Sequence, residues 1–111
     1  MIEIIIKKYL DEHLTVSSFL EKVEDMPNSY VLFEKTGSSK SNYLSSSTFA
    51  FQSYAPSMYE AAKLNEELKE IVEQLIILDE VSGVSLNSDY NFTDTETKEY
   101  RYQAVFDINH Y

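Results

Sequence analysis

Five oxygen-bearing residues crowd one stretch of this chain: Asp89, Asn91, Thr93, Asp94 and Glu96. The order D-x-N-x-T opens like a calcium-binding loop, in which alternate side chains turn their oxygens toward one hard cation. That loop needs a glycine at its sixth position and a bidentate glutamate at its twelfth. Asp94 and Tyr100 stand there instead, so the stretch reads as a hairpin turn. Two imidazoles, His13 and His110, sit beside acids in sequence: Asp11 and Glu12 for the first, Asp107 for the second. A histidine–carboxylate dyad is the basis of general-base hydrolysis. It needs a nucleophile on a strained strand-to-helix turn, and none of the serine tracts has that setting. Without Cys there is no thiolate nucleophile, thiolate metal site or disulfide. The residues predict no enzyme, no cofactor and no resident metal.

The series Phe49, Phe51, Tyr54 and Tyr59 has the material of a stacking platform, although phenylalanines in alternation belong more often to a core. Asn91-Phe92-Thr93 is a formal glycosylation triplet, which has meaning only in a secreted chain.

The charge balance narrows the partners. Nineteen acids against nine bases leave a net charge of −10, and Arg101 is the single arginine. Sequence-reading nucleic-acid binders draw much of their affinity from Lys and Arg on phosphates, so that class is disfavoured. The same acidity permits a DNA mimic, but the clearest acidic series (Glu60, Glu67, Glu70, Glu73) is interrupted by Lys63 and Lys69. No stretch approaches the ~20 apolar residues of a membrane span, and MIEIIIKKYL does not read as a signal peptide. A soluble chain without membrane contact is expected. At 111 residues it is large enough for one core, giving a single domain over 1–111.

The elements that must position these residues follow from periodicity. Ile2, Ile5, Ile6, Tyr9, Leu10 and Leu14 recur at helical spacing over 2–14, although the Ile4-Ile5-Ile6 triplet also suits a strand. Residues 15–24 alternate weakly around Phe19, Glu21 and Val23, and Asp25 to Ser29 form a turn about Pro27. Tyr30–Thr36 is a strand, and Leu44–Tyr54 is another, with Phe49 and Phe51 on one face. Between them GSSKS begins a polar, low-complexity segment, expected to be a mobile hairpin tip over 37–43. Pro56 then starts an amphipathic helix running to about Leu78, with a stripe through Met58, Ala61, Ala62, Leu68, Ile71, Val72, Leu75 and Ile76. An i,i+4 pair, Lys63 and Glu67, lies opposite.

Two final strands alternate around a turn at 93–97. A symmetric register sets Tyr90 opposite Tyr100, Leu86 opposite Ala104 and Val84 opposite Phe106, all on one face. The sum is an α+β domain in the order α-β-β-β-α-β-β. A mostly antiparallel sheet carries two helices on one face, and its other face carries Glu99, Arg101, Gln103, Val105 and Asp107.

Four stretches then carry a resemblance: the amphipathic start at 2–14, YVLFEKTGSSKSNYL at 30–44, STFAFQSYAPSMYEAAKLNEELKE at 47–70 and VSLNSDYNFTDTETKEYRYQAVFDI at 84–108. In this linear arrangement, rather than in any short motif, the chain resembles the small tail-terminator (tail-completion) proteins of long-tailed bacteriophages and of prophages in Gram-positive bacteria. The resemblance covers nearly the whole chain. It implies a virion protein of the tail, assembled in the host cytoplasm, that forms a hexameric ring on the end of the tail tube. Such a ring stops tube polymerisation and offers the filled head a docking face. The implied partners are further copies of the chain, the major tail tube protein and a head-completion protein of the neck, with DNA passing through unbound. The family has no catalytic residues to carry over, and its loop between the second and third strands is mobile until the ring forms. A head–tail joining protein of the same neck is the nearest alternative. Ring closure requires two different surfaces on each subunit. The candidates are the hairpin tip, with Ser39, Lys40, Asn42 and Tyr43, and the polar sheet face, with Glu99, Arg101 and Gln103.

Overall fold

The computed structural model describes residues 1–41 and 43–111. Helix α1 spans Ile2–His13, strand β1 Ser17–Phe19, β2 Tyr30–Ser41, β3 Leu44–Ala55, helix α2 Met58–Glu73, β4 Val81–Asn91 and β5 Tyr100–His110. The strands form one sheet in the order β1-β2-β3-β5-β4. Only β1 with β2 is parallel; every other neighbouring pair is antiparallel. The order α-β-β-β-α-β-β and the α+β class are those the periodicity predicts.

One core fills the space between the helices and one face of the sheet. Phe33, Phe49, Phe51, Ala104, Phe106 and Ile108 contribute from the strands; Ile6, Leu10, Leu68, Val72 and Leu75 contribute from the helical side. Alternation explains the strand set, since residues two apart share a face. The apolar stripe explains the helices, which are too short to hold themselves in water without burying it.

Several local expectations are corrected. The weak alternation over 15–24 yields a strand of only three residues, Ser17–Phe19. GSSKS is not a loop: β2 continues through it to Ser41, pairing Gly37 with Thr48 and Ser41 with Leu44. The partner segment from Ser45 to Thr48 is equally polar, so this extension of the sheet needs no burial, and all of β2 from Glu34 onward is exposed. Asn42 lies outside the described residues.

Pro56 precedes α2 rather than starting it. Ser57 is the cap: its hydroxyl accepts from the Glu60 backbone N–H at 3.2 Å and donates to the Glu60 carboxylate at 3.3 Å. Ser57-x-x-Glu60 has the residue pattern of a capping box; here Ser57 satisfies one N–H group left over at the helix start, and the Glu60 carboxylate holds the Ser57 hydroxyl. The α-helix ends at Glu73 and tightens into a 3-10 turn over Gln74–Ile77, which buries Leu75 and leaves Ile76 exposed. Glu67 does not serve a helical pair. Its carboxylate takes the backbone N–H and hydroxyl of Thr15, tying α2 to the segment after α1.

The register of the last hairpin differs most. Val84 faces Ile108 and Leu86 faces Phe106, two residues beyond the symmetric expectation. A bulge between Leu86 and Ser88 then inserts one residue, so that Asp89 faces Ala104 and Tyr90 faces Gln103. An extra residue reverses which face every later side chain takes. Asp89 is turned toward α2, while Tyr90 and Phe92 are turned away from the core. The turn itself is larger than assumed. Asp94 and Glu99 form an isolated bridge, and the Asp94 carboxylate accepts the backbone N–H groups of Glu96 and Thr97.

Candidate assembly surface

The face of the sheet without helices is built from alternate residues of four strands. β3 places Thr48, Ala50, Gln52 and Tyr54 there, and β5 places Arg101, Gln103, Val105 and Asp107 opposite them. Tyr30 of β2 pairs with Tyr54, and the bulge in β4 supplies Tyr90. Glu99, Arg101 and Gln103 therefore share the surface on which the alternation sets them.

Arg101 lies at one end of this face, beside the β4–β5 turn. Its Nε donates to the Phe92 carbonyl at 2.8 Å and its Nη1 to the Tyr54 hydroxyl at 3.4 Å. Its guanidinium lies 4.6 Å from the Phe92 ring centroid and 5.7 Å from that of Tyr54. A planar cation over aromatic faces is attracted by their electron-rich surfaces. Tyr30 stacks on Tyr54 at 4.6 Å with 12° between planes, and both rings are buried. Lys22 reaches over from the segment after β1, its Nζ 5.1 Å from the Tyr54 centroid and 3.2 Å from the Glu99 carboxylate. Burial pushes Lys22 down, but the Glu99 carboxylate outweighs it and holds the ammonium above its ordinary pKa. Burial raises the Tyr30 phenol. Both groups keep at pH 7 the charge they ordinarily have.

A chain of side-chain amides crosses the strands beside this cluster. Gln52 Nε2 donates to Gln103 Oε1 at 2.8 Å, and Gln103 Nε2 donates to the Tyr90 hydroxyl. Tyr54 in turn donates to Gln52 Oε1 at 3.0 Å. Lower on the face, Asp107 accepts from Thr48 Oγ1 at 2.7 Å and from Asn87 Nδ2 at 3.2 Å. The result is a polar, preorganised surface with a rigid aromatic foundation.

The second candidate patch lies elsewhere. Ser39 and Lys40 sit on the extended end of β2, and Tyr43 stands at its turn with φ 69°, 90% exposed. Along β3 the partners of Ser39 and of Arg101 are Ser46 and Tyr54. Eight residues of strand separate them, about 26 Å at ~3.3 Å per residue. The two patches are distinct surfaces. Adjacent on one strand, Ser39 and Lys40 also point to opposite faces.

The residues first considered for chemistry disperse. Asp89 takes Asn65 Nδ2 at 2.7 Å and Lys69 Nζ at 2.5 Å. Asn91 accepts from the Thr93 N–H and directs its amide at Met58. Among the described residues no three His, Cys, Asp or Glu side chains converge as metal ligands. His13 hydrogen-bonds the Tyr9 carbonyl at 2.8 Å and stacks on the Tyr9 ring. His110 meets Ser47 Oγ at 2.8 Å, a contact that sequence reasoning missed because the two lie 63 residues apart. Ser47 is buried, and Asp107 stands on the opposite face of β5, so the acid near His110 in sequence does not orient that imidazole. Of the aromatic series, Phe49 and Phe51 are core, Tyr54 belongs to the opposite face and Tyr59 is exposed on α2. No helix among the described residues is long and apolar enough to cross a membrane. Compared with known proteins, the chain matches no family model and no curated sequence.

Proposed function

We propose that this protein is a structural part of a bacteriophage tail, a tail terminator that caps the head-proximal end of the tail tube as a ring. The reading starts from the resemblance carried by residues 2–14, 30–44, 47–70 and 84–108. One structural observation supports it above the others. Among the described residues one face of the sheet carries no helix, and at one end of that face the single arginine lies over the rings of Tyr54 and Phe92. A polar face held in place before any partner arrives loses little conformational freedom on docking, which favours repeated, uniform contacts.

Two further features suit a ring. Arg101 and the exposed hairpin are different surfaces, as a head-to-tail closed assembly needs. The net charge of −10 suits a lumen that DNA must traverse, because carboxylates repel phosphates rather than hold them. On this reading the chain is no enzyme and holds no cofactor. It works in the virion after assembly in the host cytoplasm, against further copies of itself, the tail tube protein and a neck protein.

The test is location. Antibody-gold labelling of intact virions should place the chain at the junction of tail and head. Label that stays on the capsid when the tail is detached would favour the head–tail joining role, and label absent from virions would overturn a structural role altogether.

A further inference from the structure

The charge of the chain is unevenly divided. From Lys35 to Tyr59 there are two lysines and no Asp or Glu. The remaining residues therefore hold seven bases and all nineteen acids, a charge of −12. Beyond Glu34 the β2–β3 hairpin is a weakly cationic part of an acidic molecule; Lys35 at its base is paired with Glu3, which leaves Lys40 as the cation of the tip. Its tip presents Tyr43, almost wholly in solvent, beside the partly exposed Leu44. Lys40, three residues before Tyr43, makes no ion pair among the described residues.

A surface of opposite character lies on α1. Ile4, Ile5, Tyr9 and Leu78 line a groove of about 310 Å³, with Lys8, Glu12 and Glu80 at its rim. Ile4 is 62% exposed and Ile77, next to Leu78, is 71% exposed. An adjoining groove shares Ile5 and Glu80 and is walled by Met1 and Tyr111. Contiguous apolar side chains left in water mark a contact surface. The rim carries one base and two acids, with Asp79 immediately before Glu80.

We infer that two copies of this chain join through these surfaces: Tyr43 and Leu44 of one copy seat in the α1 groove of the next, and Lys40 meets the Glu12 and Glu80 rim. The occupant is a second copy because the same chain supplies both halves, an aromatic knob with a free cation and an apolar groove with an acidic edge. Tyr43 does not fill a groove of its own chain, since nearly all of its surface is in solvent. Knob and groove are different surfaces, so the contact repeats head to tail and can close into a ring. The inference rests on the ring proposed above and names the α1 groove, in place of the Arg101 face, as the surface that receives the hairpin, which leaves the Arg101 face to a further contact.

The absence of cysteine makes a clean test. Tyr43→Cys and Ile4→Cys both change exposed positions, and each single variant should keep its fold. Mixed in equal amounts with a short thiol cross-linker, they should give a linked dimer that neither gives alone. A chain carrying both changes should give a ladder of linked species. Lys40→Glu should weaken association about tenfold in sedimentation experiments, and Glu80→Lys on the receiving copy should restore it. A mixture that links no better than the single variants overturns the contact. So does Tyr43→Cys linking to itself, or to tail tube protein in place of a second copy. If native protein forms rings while the mixed cysteine variants do not link, the contact is wrong and the ring reading stands. If the ladder forms but a phage lacking the chain makes normal head-joined tails, the contact stands and the tail reading falls.

Discussion

Replacing Asp89 by alanine removes the acceptor that the β4 bulge turns toward α2. Asn65 is 1% exposed, and its Nδ2 donates to Asp89 Oδ1 at 2.7 Å. An ionised carboxylate can only accept, which fixes the amide with its NH₂ end on Asp89. The other end, Asn65 Oδ1, is buried without a partner. Taking Asp89 away strands both ends of the amide. A buried polar group that loses its partner costs ~1–3 kcal/mol, with bonds to charged groups at the upper end. Lys69 also loses its 2.5 Å contact with Asp89 but keeps Glu66 at 2.8 Å, so its share is below ~1 kcal/mol. The expected loss is about 2–3 kcal/mol, and a domain of this size should melt ~8–15 °C lower.

The control is Asn65→Leu in the Asp89→Ala background, which replaces the stranded amide with an apolar side chain and should recover at least half of the loss. Thermal and urea unfolding followed by circular dichroism give both numbers. A loss under ~0.5 kcal/mol for Asp89→Ala, or a double variant as unstable as the sum of the singles, would refute the coupling of bulge and helix.

Leu75→Ala should cost ~2–5 kcal/mol, because Leu75 is fully buried and its removal leaves a cavity between the 3-10 turn and the sheet; denaturant titration measures it. Asp11→Asn should alter the acid limb of stability. Burial raises the Asp11 carboxyl, but Lys7 at 2.5 Å and Ser18 Oγ at 2.6 Å outweigh it and hold its pKa below the ordinary value. A carboxyl lowered in the folded state stabilises above its unfolded pKa of ~3.9, and the gain disappears as pH falls through the folded value. The variant should therefore be less stable at pH 7, by less than ~1 kcal/mol for so exposed a pair, and equal to the native protein near pH 2. Arg101→Glu should reduce assembly more than folding, since a new carboxylate on an acidic surface repels a neighbour; size-exclusion profiles beside melting curves separate the two.

Much of this architecture was legible because burial is periodic. Phe49, Phe51, Phe106 and Ile108 announce their face by alternation, and Leu68, Ile71, Val72 and Leu75 announce theirs by helical spacing. What alternation could not reveal was the bulge. Ser85, Asn87 and Ser88 are all polar, so an extra residue among them leaves the pattern of types intact while reversing Asp89 and Tyr90. The Ser57–Glu60 cap was readable in S-x-x-E and was masked by Pro56, the stronger signal beside it. The extension of β2 through GSSKS was hidden for a different reason. Its stability lies in pairing with Ser45–Thr48, a non-local contact that composition does not report. Arg101 and Gln103 were placed on the correct face by parity alone, but the aromatic bed of Arg101 depends on Tyr54 and Phe92, which meet it only in the fold.

If this chain is the tail terminator proposed above, tail growth stops where it binds, and the distribution of tail lengths in a lysate of phage lacking it reads this out. Electron micrographs should show intact capsids and tube protein, with tubes running past the native length or ending without heads, and complementation with the native chain should restore one sharp length. Tails of normal length joined to heads in the deletion lysate would contradict the proposed terminator role.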